Sequence, residues 1–90
     1  MEFLKLKDYW TYQLPEWDNY NQDDIEDALE SIESVTIVNY AEEEDTDIWN
    51  ICYKDCDFVL ANDLVHGCEI RTSKEEDLPV MEELIKELPL

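Results

Sequence analysis

The sequence predicts an α+β fold: a small antiparallel sheet of three to four strands, with two helices packed on one face. Three observations carry that prediction. Two segments, 21 to 34 and 72 to 88, space their apolar residues three and four apart, as a helix with one buried side requires. Between them lie β-branched and aromatic runs parted by turn residues, which reads as a meander. Apolar residues make up 44% of the chain and aromatics 11%, with one Gly and three Pro, a composition that folds rather than stays disordered. Ninety residues make one acidic domain, 1–90, with a modest core.

The first segment mixes apolar and polar positions. Tyr9, Trp10 and Tyr12 favour extended structure, so a first strand is expected over 2 to 7 or 8 to 13. Pro15 ends it, and a turn follows through 22. Asn21 is the N-cap of a helix reaching Ser34, with Asp23 and Asp24 in the first turn where the helix dipole favours carboxylates. Ile25, Ala28, Leu29 and Ile32 are its buried stripe. No base stands four residues from any of its acids, so packing must hold this helix. Strands are expected over 35 to 40, 48 to 53, 56 to 61 and 68 to 72, with turns at 42 to 47 and at Lys54 and Asp55. Asn62 and Asp63 break the third of these. Ser73 and Glu76 fit a capping box for the last helix, whose stripe is Leu78, Met81, Leu84, Ile85 and Leu88. Pro79 is tolerated only in a first turn, which moves the regular start toward Leu78, and Pro89 ends the helix.

Charge is the feature with functional content. There are 25 Asp and Glu against six Lys and Arg, a formal charge of -19. From Asp8 to Tyr53 there are 14 acids and no base. Small domains stay soluble at a net charge of roughly 2 to 8 in magnitude. This chain accepts extra self-repulsion, so a homodimer interface is a candidate means of support. Its field repels nucleic acid and anionic membrane, and attracts basic protein surfaces. Neither direct nucleic-acid binding nor membrane binding is expected.

Enzyme classes find little footing. One Gly excludes both a phosphate-cradling loop and a dinucleotide fingerprint. His66 is the sole imidazole, and nothing singles out two acids as a catalytic pair. Cys52, Cys56, Cys68 and His66 make a poor zinc set, because the cysteines fall in strands and no Gly supports a tight metal turn. Acids 42 to 47 lack the Gly and the register of a calcium loop. No metal, cofactor or catalytic residue is expected. Three cysteines and no signal-peptide run point to reduced thiols and a cytoplasmic protein.

The candidate partner-binding residues are two acidic sets. Asp23, Asp24, Glu26, Asp27, Glu30 and Glu33 place six charges over roughly 15 Å of helix, about two-thirds the linear density of duplex phosphate. Glu42, Glu43, Glu44, Asp45 and Asp47 extend them on a turn. Trp17 and Tyr20, between acidic segments, are the candidate anchors.

In size, charge and scarcity of bases the whole chain resembles the small phage- and plasmid-encoded DNA-mimic proteins that inhibit restriction enzymes, nucleases, CRISPR effectors or nucleoid proteins. The resemblance rests on no motif and carries over no residue. It implies an inhibitor that occupies the DNA-binding surface of a basic nuclease or other DNA-binding protein and competes with DNA. Two alternatives share the composition: an immunity protein or antitoxin covering a basic toxin, and an acidic structural or adaptor protein.

Overall fold

Strands Leu4–Lys5 (β1), Trp10–Gln13 (β2), Val35–Glu43 (β3), Thr46–Tyr53 (β4), Cys56–Asp63 (β5) and Gly67–Thr72 (β6) form one sheet in the computed structural model, which describes residues 2–89. Their order is β1-β2-β6-β5-β4-β3, with every pair antiparallel. Helices Gln22–Glu30 (α1) and Leu78–Glu87 (α2) complete the fold. The expectation of three to four strands is therefore corrected to six. The one strand expected over 2 to 7 or 8 to 13 is instead two short ones, β1 of two residues and β2 of four. They enter the sheet because β2 pairs with β6, which lies some 60 residues away in sequence.

Directly opposed residues share a face, so the register defines the core. Ile51 faces Phe58, Trp49 faces Leu60, and Leu60 faces Ile70. These residues are fully buried with Ile25, Ala28 and Leu29 of α1 and Met81, Leu84 and Ile85 of α2 in one cluster. Burying each large aliphatic side chain is worth about 1.5–3 kcal/mol, and this cluster holds the fold against its charge. The other face, with Ile48, Val59, Ala61, Glu69 and Arg71, contributes nothing to that cluster.

Helix α1 opens as the sequence requires. The Asn21 side chain accepts from the Asp24 N–H at 2.9 Å, and Asp24 accepts from the Asn21 N–H at 3.1 Å, closing a capping box. The helix stops at Glu30 rather than Ser34, because the Ser31 hydroxyl donates to the Ala28 carbonyl and a turn follows. Before α2, Glu75–Asp77 is a short 3-10 turn and the expected Ser73–Glu76 box is not formed. Pro79 falls in the first turn of α2, where its missing N–H costs nothing.

The turns depart from expectation more than the strands. Strand β3 runs on to Glu43 and β4 begins at Thr46, so Glu42, Glu43 and Asp47 are strand residues and only Glu44 and Asp45 turn. Strand β5 continues through Asn62 and Asp63, which pair with Cys68 and Gly67. Lys54 and Asp55 both have positive φ, 51° and 65°, the left-handed pair of a tight hairpin. Strand β3 is one edge of the sheet and is bulged between Ile37 and Asn39.

Candidate functional site

The register divides the sheet into two ends with different charge. At one end lie the Lys54–Asp55 turn, the β6 exit at Thr72 and the start of β2 at Trp10. Lys54 and Lys74 belong to this end, and so do Lys5, opposite Trp10, and Lys7, in the β1–β2 turn. Lys86 is on α2, which reaches the same end through a Lys54–Glu83 ion pair of 3.4 Å. Arg71 is the penultimate residue of β6 and pairs with Glu69. No Lys is placed at the opposite end among the described residues, although Arg71 lines the cleft there with Glu43, Glu44 and Asp45.

That opposite end is assembled from three pieces of chain. The first is the β3–β4 hairpin tip, with Glu42, Glu43, Glu44, Asp45 and Asp47. The second is the β5–β6 turn, tied to the first by the Leu64 N–H donating to the Asp45 carbonyl at 2.9 Å. The third is the approach to α1, tied to β5 by the Asn62 amide donating to the Tyr20 carbonyl at 3.1 Å. Asp18 also belongs here, with a carboxylate oxygen 3.4 Å from the Cys68 N–H. Gly67 makes this approach workable: its φ is 83°, and a Cβ on it would lie 2.7 Å from Asp18 Oδ1.

Most of the expected acids are free to meet a partner. Asp23, Asp24, Asp27, Glu30, Glu33, Glu42, Glu43, Glu44 and Asp45 are exposed. None joins the ion pairs among the described residues, which are Lys54–Glu83, Arg71–Glu69 and Lys86–Glu82. Asp24, though exposed, closes the α1 capping box, and two further expected acids have structural duties. Glu26 is half-buried and accepts from the Trp49 indole N–H at 3.2 Å, joining α1 to the sheet. Asp47 is half-buried and accepts from the Tyr40 hydroxyl at 2.6 Å, a bond that pushes the Tyr40 phenol well above its usual range. Glu33 lies beyond the end of α1, so the six acids do not form one helical row.

The expected aromatic anchors are placed differently. Trp17 is fully buried in the core, so it offers a partner no surface. It is needed there because it stacks on Tyr20 with ring centroids 5.3 Å apart, roofing the approach to α1. Tyr20 is half-buried. What the sequence reading missed is a pair of exposed apolar residues, Leu64 and Val65, in the middle of the acidic end. The signal was present in a β5–β6 connection with two large apolar residues where turn residues are usual.

Asp63 frames this turn. Its carboxylate accepts from the Thr46 hydroxyl at 2.6 Å, the His66 N–H at 2.9 Å and the Val65 N–H at 2.7 Å. These bonds to the charged form, the Thr46 one first, hold its carboxyl down to about 2. Cys68, beside it in the core, is pushed up to about 12 by burial and then by Asp18 and Glu69, so its thiol is inert. Among the described residues no group of three His, Cys, Asp or Glu is placed to hold a metal ion, and no helix is long and apolar enough to cross a membrane. No known protein family, curated protein or solved structure matches this chain.

Proposed function

We propose that this chain is a DNA-mimic inhibitor: it binds the DNA-binding surface of a nuclease, a restriction or CRISPR effector or another DNA-binding protein, and competes with DNA. The observation that carries this reading is a set of exposed carboxylates outside any ion pair among the described residues at one end of the sheet, while the lysines lie at the other. A groove built for phosphate would attract that end and be indifferent to the other. The charge comes from the α1 approach and the β3–β4 hairpin together, as two rows rather than one helix. The test is displacement of a labelled duplex from a panel of purified nucleases, CRISPR effectors and nucleoid proteins. Saturating protein is expected to release the duplex from at least one; a duplex left bound by all of them sinks the reading.

A second reading, an immunity protein or antitoxin seated on a basic toxin, draws on Leu64 and Val65, which a pure phosphate mimic does not need. A toxin gene beside this one, and protection of cells from its product, would favour it over DNA competition.

A further inference from the structure

We propose that Leu64 and Val65 form the apolar anchor by which this chain seats on its partner, a basic protein surface with an apolar socket rimmed by Lys or Arg. The inference rests on the reading above that the partner is a basic protein, and it names the contact that sets lifetime once charge has brought the two together.

Leu64 is 80% exposed and Val65 77%. Exposure alone is ordinary for one apolar side chain. Here two adjacent ones project from a turn whose backbone is held at every position. Leu64 donates to Asp45, Val65 and His66 donate to Asp63, and Asp63 is itself held by Thr46. A rigid turn presents the pair without the ordering cost that a flexible loop meets on binding. The hydrogen bonds use main-chain groups of residues 64 to 66, so the turn does not need apolar side chains to form.

The surroundings specify the occupant. On one side of the turn is a cleft that Val65 itself lines, with four carboxylates, Glu43, Glu44, Asp45 and Asp63, against one cation, Arg71. On the other side a second cleft is lined by Asp18, Tyr20, Asn62 and Asp63. An apolar knob between two carboxylate-lined clefts matches an apolar socket between basic side chains, the centre-and-rim arrangement of a protein hot spot. A second copy of this chain is the wrong occupant, because it would bring Glu43, Glu44, Asp45 and Asp63 against their own kind.

The experiment has two arms. In the first, L64S combined with V65S is compared with wild type for displacing labelled duplex from the panel of purified DNA-binding proteins. The expected result is an unchanged melting temperature and a loss of about 30-fold or more in potency, carried by faster dissociation. L64M combined with V65I should keep wild-type potency. In the second arm, benzoylphenylalanine replaces Leu64, or Val38 on the β3 edge as control, and the cross-linked proteins from a host lysate are identified. Cross-linking at 64 but not at 38 to an identified basic protein supports the anchor. It does so even if no duplex is displaced, in which case DNA competition falls and the anchor stands. Displacement that the double Ser variant performs as well as wild type overturns the anchor and leaves DNA competition standing. Cross-linking at 64 to a second copy of this chain, or equal cross-linking at 64 and 38, also overturns it.

Discussion

At the Lys54 end of the sheet charge is answered locally; at the Glu44 end it is not. Lys54 pairs with Glu83, lies over the Tyr53 ring at 5.3 Å, and has its pKa raised chiefly by Glu83. The Tyr53 hydroxyl donates to the Glu87 carboxylate, so the C-terminal part of α2 is tied to β4 at the same end. At the opposite end, Glu42, Glu43, Glu44 and Asp45 are exposed and join no ion pair among the described residues. Both ends are hairpin tips of one sheet, with the same need to reverse the chain. Acids occur at both ends; the difference is that lysines stand among them only at the Lys54 end.

The largest expected effect breaks this comparison by charge reversal. Changing Glu42, Glu43, Glu44 and Asp45 to Lys should cut inhibition by about 100-fold or more, since each exposed contact of about 0.2–1 kcal/mol becomes a repulsion. Changing Asp55, Asp57, Glu75 and Glu76 to Lys at the other end should alter it only a few-fold. Thermal melting of both variants checks that the fold survives. Equal losses would mean that total charge matters and its placement does not. Single Ala changes within the first set should each shift affinity a few-fold at most.

Salt is the next lever. Raising ionic strength from 50 to 500 mM should slow association strongly and change dissociation little, because exposed charges are screened over about 8 Å at physiological salt. Stopped-flow traces with a constant association rate would remove electrostatic steering.

A third comparison separates acids that hold the fold from acids that face a partner. Glu26→Ala should destabilise by about 1–2 kcal/mol, because it strands the Trp49 indole N–H. Asp27→Ala, one residue along and exposed, should stabilise by a few tenths of a kcal/mol, roughly, through helix propensity and relief of repulsion. Urea melts of the two variants decide it; equal losses would make Glu26 an ordinary surface acid.

The smallest effect concerns Asp63. Its folded pKa, about 2, lies below the ordinary 3.8, so its ionised form favours the folded state. That contribution is full above about pH 4 and fades as pH falls through about 2. The stability gap between wild type and Asp63→Asn should therefore be widest near neutrality and close toward pH 2. A gap that stays constant across this range would show that the Thr46, Val65 and His66 bonds act equally on a neutral group.

Much of this architecture was legible in local pattern. The stripes of α1 and α2 are set by three-and-four spacing, and β-branched and aromatic runs parted by turn residues mark β3 to β6. The pairing of Trp10–Gln13 with β6 was not legible, because four residues without alternation give no period and the partner is distant in sequence. The acidic excess was plain in composition, but the gathering of the lysines at one end is a product of register, as is the meeting of Asp45 with Leu64 at the other. Trp17 misled for a related reason. An aromatic between acidic segments looks like an anchor until the chain turns it inward.

The open edge of β3 has one further consequence. Along its nine residues about every second one turns its main-chain donor and acceptor outward without a partner strand, and Val38, 65% exposed, sits at the bulge. Apart from that bulge, the guard against another molecule adding its own strand is repulsion between like carboxylates, Glu42 and Glu43 among them. Near the isoelectric point of about 4.1 that guard is withdrawn while the ladder groups stay in place. Acidification should therefore turn a chain that stays dispersed at neutral pH into one prone to edge-to-edge aggregation, so its colloidal stability is set by the proton concentration around it.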